Sequence, residues 1–323
     1  MSNIGLRVQF SKVINFLSVA HLIWRKKSDF FVTVDYHYFT KEKPILKDLE
    51  IERSILNRQL KFFSREFEIL NPKKFSFQSF FLRKRKKLAM LITIDDGDKS
   101  ICDNMDIFEK YDIPIIIFLP IGLCVDVDSI DGLRSKIFRY FFEIDEDTRE
   151  SLYGDMDIFF QKVIHMNHKQ LKVFLLEINK YRNCIDPISD KDLLSLEELL
   201  SLSDHPLVTL SSHTMSHPVL SKIPLEWVKW EIETAKKYIQ KIGGDTRFFA
   251  YPYGFKESYS ERVQQCLFNA GIQFSFTTRS MKIKSNSNPF ELGRVGMHNV
   301  YDKRYLKGLV GGAFELWDRL LLR

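Results

Sequence analysis

Apolar residues fill Leu88–Ile94 save for Thr93 and run without interruption through Ile115–Leu119, and elsewhere they recur at helical spacing. Continuous runs mark strands covered on both faces, and their alternation with helices predicts a parallel sheet. Residues 30–37 have the β-branched and aromatic density of a strand that ends in polar groups. Helical spacing then covers 48–69, and a helix over 99–110 follows the strand at 88–94. Beyond Pro114 and the 115–119 run, strands are predicted at 207–211, 247–251 and 272–277. Helices at 225–242 and 258–270 separate them, closed by Gly243-Gly244 and capped by Gly271.

Residues 121–204 have a different texture, rich in charge, Leu and Phe, with little strand signal. Helical periodicity at 132–143, 157–164, 168–181 and 196–203 marks this stretch as a helical insertion and not a second folding unit. The chain divides into an N-terminal amphipathic segment (1–29), a main α/β domain (30–300) and a C-terminal amphipathic helix (301–323). It has no internal repeat and no low-complexity tract.

At 323 residues, with 45% hydrophobic and 28% charged, the chain is globular and can bury a large core. Its net charge of +6 is scattered except for Arg83-Lys84-Arg85-Lys86-Lys87. That run reads as a solvated loop before a strand, and no nucleic-acid partner is expected. Cys102, Cys124, Cys184 and Cys266 lie far apart without CxxC spacing, as reduced thiols of a cytosolic protein do. No cleavable signal is visible. The apolar stretch 14–24 is interrupted by Asn15, Ser18 and His21 and is too short to span a bilayer. We read it as a helix packed on the domain, with a peripheral membrane foot as the alternative, helped by the apolar end 314–322. The expectation is a cytoplasmic protein whose membrane contact, if any, is at the inner face.

The chemistry gathers at strand ends. Leu91-Ile92-Thr93-Ile94-Asp95-Asp96-Gly97 places two carboxylates where a strand stops and Gly97 permits a bend. Far downstream, Ser212-His213-Thr214-Met215-Ser216-His217 offers two imidazoles at i and i+4. One carboxylate and two histidines make a facial three-ligand set, leaving the other carboxylate free to take a proton from water. Separately, each cluster has an ordinary explanation: strand-end aspartates cap helices, and lone histidines sit satisfied in cores. Together, each at the end of a predicted parallel strand, they point to one site. A third strand ends in Tyr251-Pro252-Tyr253-Gly254, a turn able to aim the Tyr253 backbone N–H at a developing oxyanion.

These segments resemble the polysaccharide deacetylase family, the NodB-homology group of carbohydrate esterases. Thr93-Ile94-Asp95-Asp96-Gly97 is similar to its Thr-Phe-Asp-Asp-Gly motif, His213-Thr214-x-x-His217 to its His-(Ser/Thr)-x-x-His motif, and Tyr251–Gly254 to its Pro-Tyr turn. The resemblance implies a distorted (β/α) barrel of about seven parallel strands. It also implies metal-dependent removal of an N- or O-acetyl or formyl group from a sugar or glycan precursor; the missing signal, the positive balance and the apolar ends add the expectation of a lipid-linked one. By the family pattern Asp95 is the general base, while Asp96, His213 and His217 hold a divalent metal, commonly zinc.

Two departures stand out. Many members carry Arg two residues before the Pro of the third motif, where this chain has Ala250. Arg294, in Glu291-Leu292-Gly293-Arg294-Val295, is the candidate replacement. The family also uses a histidine as general acid, and His37 and His298 compete for that role. His37 is preferred because it ends a strand. Ala250 and the unassigned acid keep a second reading open, a catalytically silent carbohydrate-binding or assembly protein that retains the fold.

Overall fold

The computed structural model describes residues 29–46, 49–125, 128–182 and 193–310. Its strands are β1 (Phe30–Tyr36), β2 (Tyr38–Thr40), β3 (Glu50–Glu52), β4 (Phe67–Ile69), β5 (Leu88–Ile94) and β6 (Ile115–Leu119). They continue with β7 (Val208–Ser212), β8 (Phe248–Ala250), β9 (Phe274–Phe276), β10 (Ile283–Lys284) and β11 (Val295–Gly296). One sheet runs β10-β1-β5-β6-β7-β8-β9, with β4 and β11 attached to β5 and β1. All its pairings are parallel except β10 on β1. Every residue of β1, β5, β6 and β7 is buried, as covered parallel strands require. The result is a distorted (β/α) barrel whose seven-strand path curls without full hydrogen-bonded closure.

A short strap crosses the opening. Leu292 bridges to Phe276 on the last strand, and Val295 pairs with Val34 on β1. Arg294 lies between those two anchor points. In-register pairing of Tyr36 with Ile94, Ile94 with Ile117, and Leu119 with Ser212 levels the C-terminal strand ends. Residues that follow β1, β5 and β7 therefore emerge on one rim.

The structure refines several boundaries. The apolar periodicity at 48–69 resolves into β3, a helix Arg53–Glu66 and β4. Phe67–Ile69 leaves the helix because its backbone pairs with Leu88–Met90 at a free edge of β5. The segment 99–110 begins as a tight 3₁₀ stretch, Lys99–Asn104, capped by the Asp98 side chain, and turns α-helical at Met105–Lys110. A helix at Glu146–Tyr153 escaped the periodic reading because it buries no residue and so has no apolar stripe.

Residues 121–204 are helical in the described part: Ile121–Cys124, Ile130–Phe142, Glu146–Tyr153, Met156–His165, His168–Ile178 and Leu196–Asp204. The insertion shares a core with the barrel. Trp227, on the covering helix Leu225–Lys241, is fully buried, and the rings of Phe138 and Phe160 pack against it at 4.4 and 5.6 Å. In the basic run, Arg85 folds back over the Phe80 ring at 3.7 Å while Arg83, Lys84, Lys86 and Lys87 are exposed. Cys102, Cys124 and Cys266 form no disulfide among the described residues, and Cys184 lies outside them.

Of the C-terminal segment, the helix Lys303–Val310 is described and buries Tyr305, Leu306, Leu309 and Val310. Residues 1–28 and 311–323, on which the membrane-foot expectation rests, lie outside the described residues. No described helix is long and apolar enough to cross a membrane.

Candidate active site

Four loops meet at the rim over a cavity of about 410 Å³, lined among others by Asp95, Asp96, His213, His217, His37 and Tyr253. Their backbones are held in costly conformations. Of the five non-glycine residues with positive φ in the described chain, Asp96 (71°), Thr214 (74°), His217 (61°) and Tyr253 (62°) belong to these loops. Each such residue costs roughly 1–3 kcal/mol and persists only where surrounding contacts over-determine it. The strain lets adjacent residues at a strand end present side chains to one place, which regular pleating forbids.

The contacts that impose it are visible. His213 N–H donates to the Leu119 carbonyl and Ile121 N–H to the Thr214 carbonyl, fastening the histidine loop to β6. Glu231, buried on the covering helix, accepts from Met215 N–H (2.8 Å), Ser216 N–H (3.0 Å) and Trp227 Nε1–H (3.0 Å). Burial raises the Glu231 carboxyl above its ordinary range, against the pull of those donors. His217 N–H donates to Thr214 Oγ1 at 2.9 Å, closing the turn.

Asp96, His213 and His217 converge. Nε2 of His217 lies 3.1 Å from Nε2 of His213, and Asp96 Oδ1 lies 3.4 Å from the first and 3.6 Å from the second. A tetrahedral ion with bonds of 2.0–2.1 Å needs ligand separations of about 3.3 Å, so the set has the right span. Asp96 Oδ1 is buried and has no hydrogen-bond partner, while Oδ2 accepts from the Tyr38 hydroxyl at 2.9 Å. A buried carboxylate oxygen facing two imidazole nitrogens is what a divalent cation would satisfy. His213 Nδ1 donates to the Ala250 carbonyl at 2.7 Å, because a carbonyl can only accept, and Nε2 is left with its lone pair. Burial, with the nearby Arg139 charge, pushes His217 well below its ordinary pKa and keeps it neutral, as a ligand must be.

Asp95 is held differently. Arg294, fully buried on the strap, donates to Asp95 Oδ1 at 2.6 Å and to Oδ2 at 2.7 Å, with a third bond to Thr93 Oγ1 at 3.2 Å. Burial raises the Asp95 carboxyl, but the Arg294 guanidinium, by its charge and its hydrogen bonds, outweighs it and holds the group down to about 2. Each carboxylate oxygen keeps a second lone pair for water. The guanidinium missing at Ala250 thus arrives from 199 residues along the chain.

The two acid candidates are placed unequally. His37 follows β1 and lines the cavity. His298 follows β11, and its carbonyl accepts from Gln59 Nε2 at 2.9 Å; its side chain is not among the cavity-lining groups. His165, His168 and His205 lie elsewhere: the ring nitrogens of the first two meet the carbonyls of Gln161 and Asp128, and that of the third meets Glu109.

Four residues near the site went unassigned in the sequence. Asp35 is buried, and burial raises its carboxyl against the pull of the Arg294 charge. Tyr38 touches Asp96, Glu231 holds the histidine loop, and Arg139 of the insertion lies 3.5 Å from His217 Nδ1. Only Glu231 left a signal: it falls on the buried stripe of its helix with Trp227, Val228, Ile232 and Ala235.

Comparison with known proteins follows this geometry. Residues 165–275 match the family model described as polysaccharide deacetylase, a span holding both histidines and the Tyr251–Gly254 turn. Over that span the chain is similar to the polysaccharide deacetylases. Solved deacetylase structures share its fold. One is the Streptococcus pyogenes deacetylase PplD in complex with acetate (TM-score 0.59, 16% identity, 87% of this chain and 98% of that one). Another is IcaB from Ammonifex degensii (TM-score 0.54, 16% identity, 88% and 97%). A third is a de-N-acetylase from Aggregatibacter actinomycetemcomitans (TM-score 0.56, 12% identity, 87% and 100%). At such identities the likeness is one of fold. No curated protein sequence matches the chain. The aspartate pair lies outside the span of the family model, so its membership of the site rests on the distances above.

Proposed function

We propose that this protein is a metal-dependent hydrolase that removes an acetyl or related acyl group from a sugar or glycan. The observation that carries the reading is the division between two adjacent aspartates. Asp96 directs a partnerless oxygen at two histidine nitrogens, and Asp95 is tied to Arg294 and faces the same cavity. The deacetylase relatives supply the substrate class.

Asp96, His213 and His217 would hold the ion, and a divalent ion there, zinc above all, polarises an acyl carbonyl and acidifies water. Asp95 then takes a proton from the water attacking the acyl carbon. Arg294 keeps Asp95 ionised and aimed, since its paired bonds fix the carboxylate plane. The Tyr253 backbone N–H, on a strained turn at the cavity, is assigned to the developing oxyanion. His37, at the cavity wall, is assigned to protonate the leaving amine or alkoxide.

The test is acetate release from N-acetylglucosamine oligomers and from a small acetyl ester, before and after chelation. Release that disappears with the metal and returns with zinc supports the reading. A metal-loaded protein that releases acetate from neither substrate would point instead to a silent binding role.

A further inference from the structure

Tyr38 belongs to none of the three motifs, yet its side chain hydrogen-bonds Asp96. It sits on β2, which pairs with β3 in a separate two-strand sheet beside the barrel. Its ring is largely buried, and its hydroxyl donates to Asp96 Oδ2 at 2.9 Å. The segment is tied to the aspartate loop at a second point, where Phe39 N–H donates to Ser100 Oγ at 3.0 Å. Tyr38 N–H donates to the Leu49 carbonyl at 3.2 Å, so the phenol is anchored from its own backbone as well.

We propose that Tyr38 is a positioning residue that makes Asp96 a one-oxygen metal ligand. A carboxylate can offer a cation one oxygen or both. With Oδ2 turned toward the phenol, Oδ1 is the oxygen that faces His213 Nε2 and His217 Nε2. The backbone of Asp96, at φ 71°, fixes where the carboxylate starts, and Tyr38 fixes its rotation about the last bond. Monodentate binding leaves more of the ion's face open to water and substrate than bidentate binding does. The inference rests on the metal reading of the site, but it concerns geometry and affinity, not turnover.

The experiment is a zinc titration by calorimetry of chelator-stripped wild type, Tyr38→Phe and Tyr36→Phe. Tyr36 is the control, because its buried hydroxyl donates to Gln59 Oε1 at 3.0 Å and touches no site residue. Loss of an outer-shell partner weakens metal binding by about 10–100-fold, and that loss is expected for Tyr38→Phe alone. Cobalt loaded in place of zinc gives a second readout: its visible band should change in Tyr38→Phe, as Asp96 becomes free to offer both oxygens, and stay unchanged in Tyr36→Phe. Wild-type affinity and an unaltered cobalt band in Tyr38→Phe overturn the proposal, as does an equal loss in both variants. Wild type that binds no zinc overturns it together with the metal reading. Wild type that binds zinc but releases no acetate overturns the proposed reaction alone, and the Tyr38 comparison still decides this inference.

Discussion

Arg294 grips Asp95 through two hydrogen bonds of 2.6 and 2.7 Å, joining the strap across the barrel opening to the end of β5. The pair is fully buried, so neither charge can turn to water if the other is removed. Arg294→Ala should therefore destabilise the fold by about 3–5 kcal/mol in denaturant unfolding, beyond its effect on activity. Arg294→Lys should recover little, because an ammonium cannot make the paired contact. Converting both residues to apolar ones should restore much of the stability while abolishing turnover.

The same pair sets a pH limit. The Asp95 carboxyl is depressed to about 2 in the folded protein, from an ordinary 3.8. Its contribution is therefore present above the unfolded value and is lost as pH falls through about 2. His217 acts at milder acidity. Its folded pKa is depressed by burial first, so the unfolded chain takes up the imidazole proton below about pH 6.5 while the folded site refuses it. Stability of the chelated protein should fall with acid from that point, with a slope approaching about 1.4 kcal/mol per pH unit for this one group. His217→Gln should remove that component from the acid-unfolding curve.

Placement of the two remaining histidines gives a kinetic prediction. His37 lines the cavity and His298 does not. His37→Ala should lower kcat by about 10²–10⁴-fold and remove the basic limb of the pH–rate profile. His298→Ala should leave that limb in place. A profile altered only by His298→Ala would reverse the assignment.

Glu231 offers a test remote from the chemistry. It gathers Met215 N–H, Ser216 N–H and Trp227 Nε1–H behind the histidine loop. Glu231→Leu removes every acceptor and should weaken zinc binding by about 10–100-fold through misplacement of His217. Unchanged affinity would mean that the loop holds its strained turn without that anchor.

Sequence and structure agree most closely where local pattern and burial coincide. The runs at Leu88–Ile94 and Ile115–Leu119 are legible as covered strands, and Asp95, Asp96, His213 and His217 stand at predicted strand ends. Residues 48–69 misled as one helix because helical spacing says nothing of Phe67–Ile69 finding an edge on β5. Tyr38, 58 residues from Asp96, and Arg139, 78 from His217, leave no local trace, since only the fold creates those contacts. Glu231 was readable in principle: a carboxylate on the apolar stripe of a helix must find partners in the core.

Unequal roles for Asp95 and Asp96 are the centre of this account, and paired metal and activity assays of two variants test them most directly. Asp95→Asn should keep a full equivalent of zinc and lose turnover, whereas His213→Ala should lose both. Equal loss of zinc from the two variants would contradict the division between base and ligand.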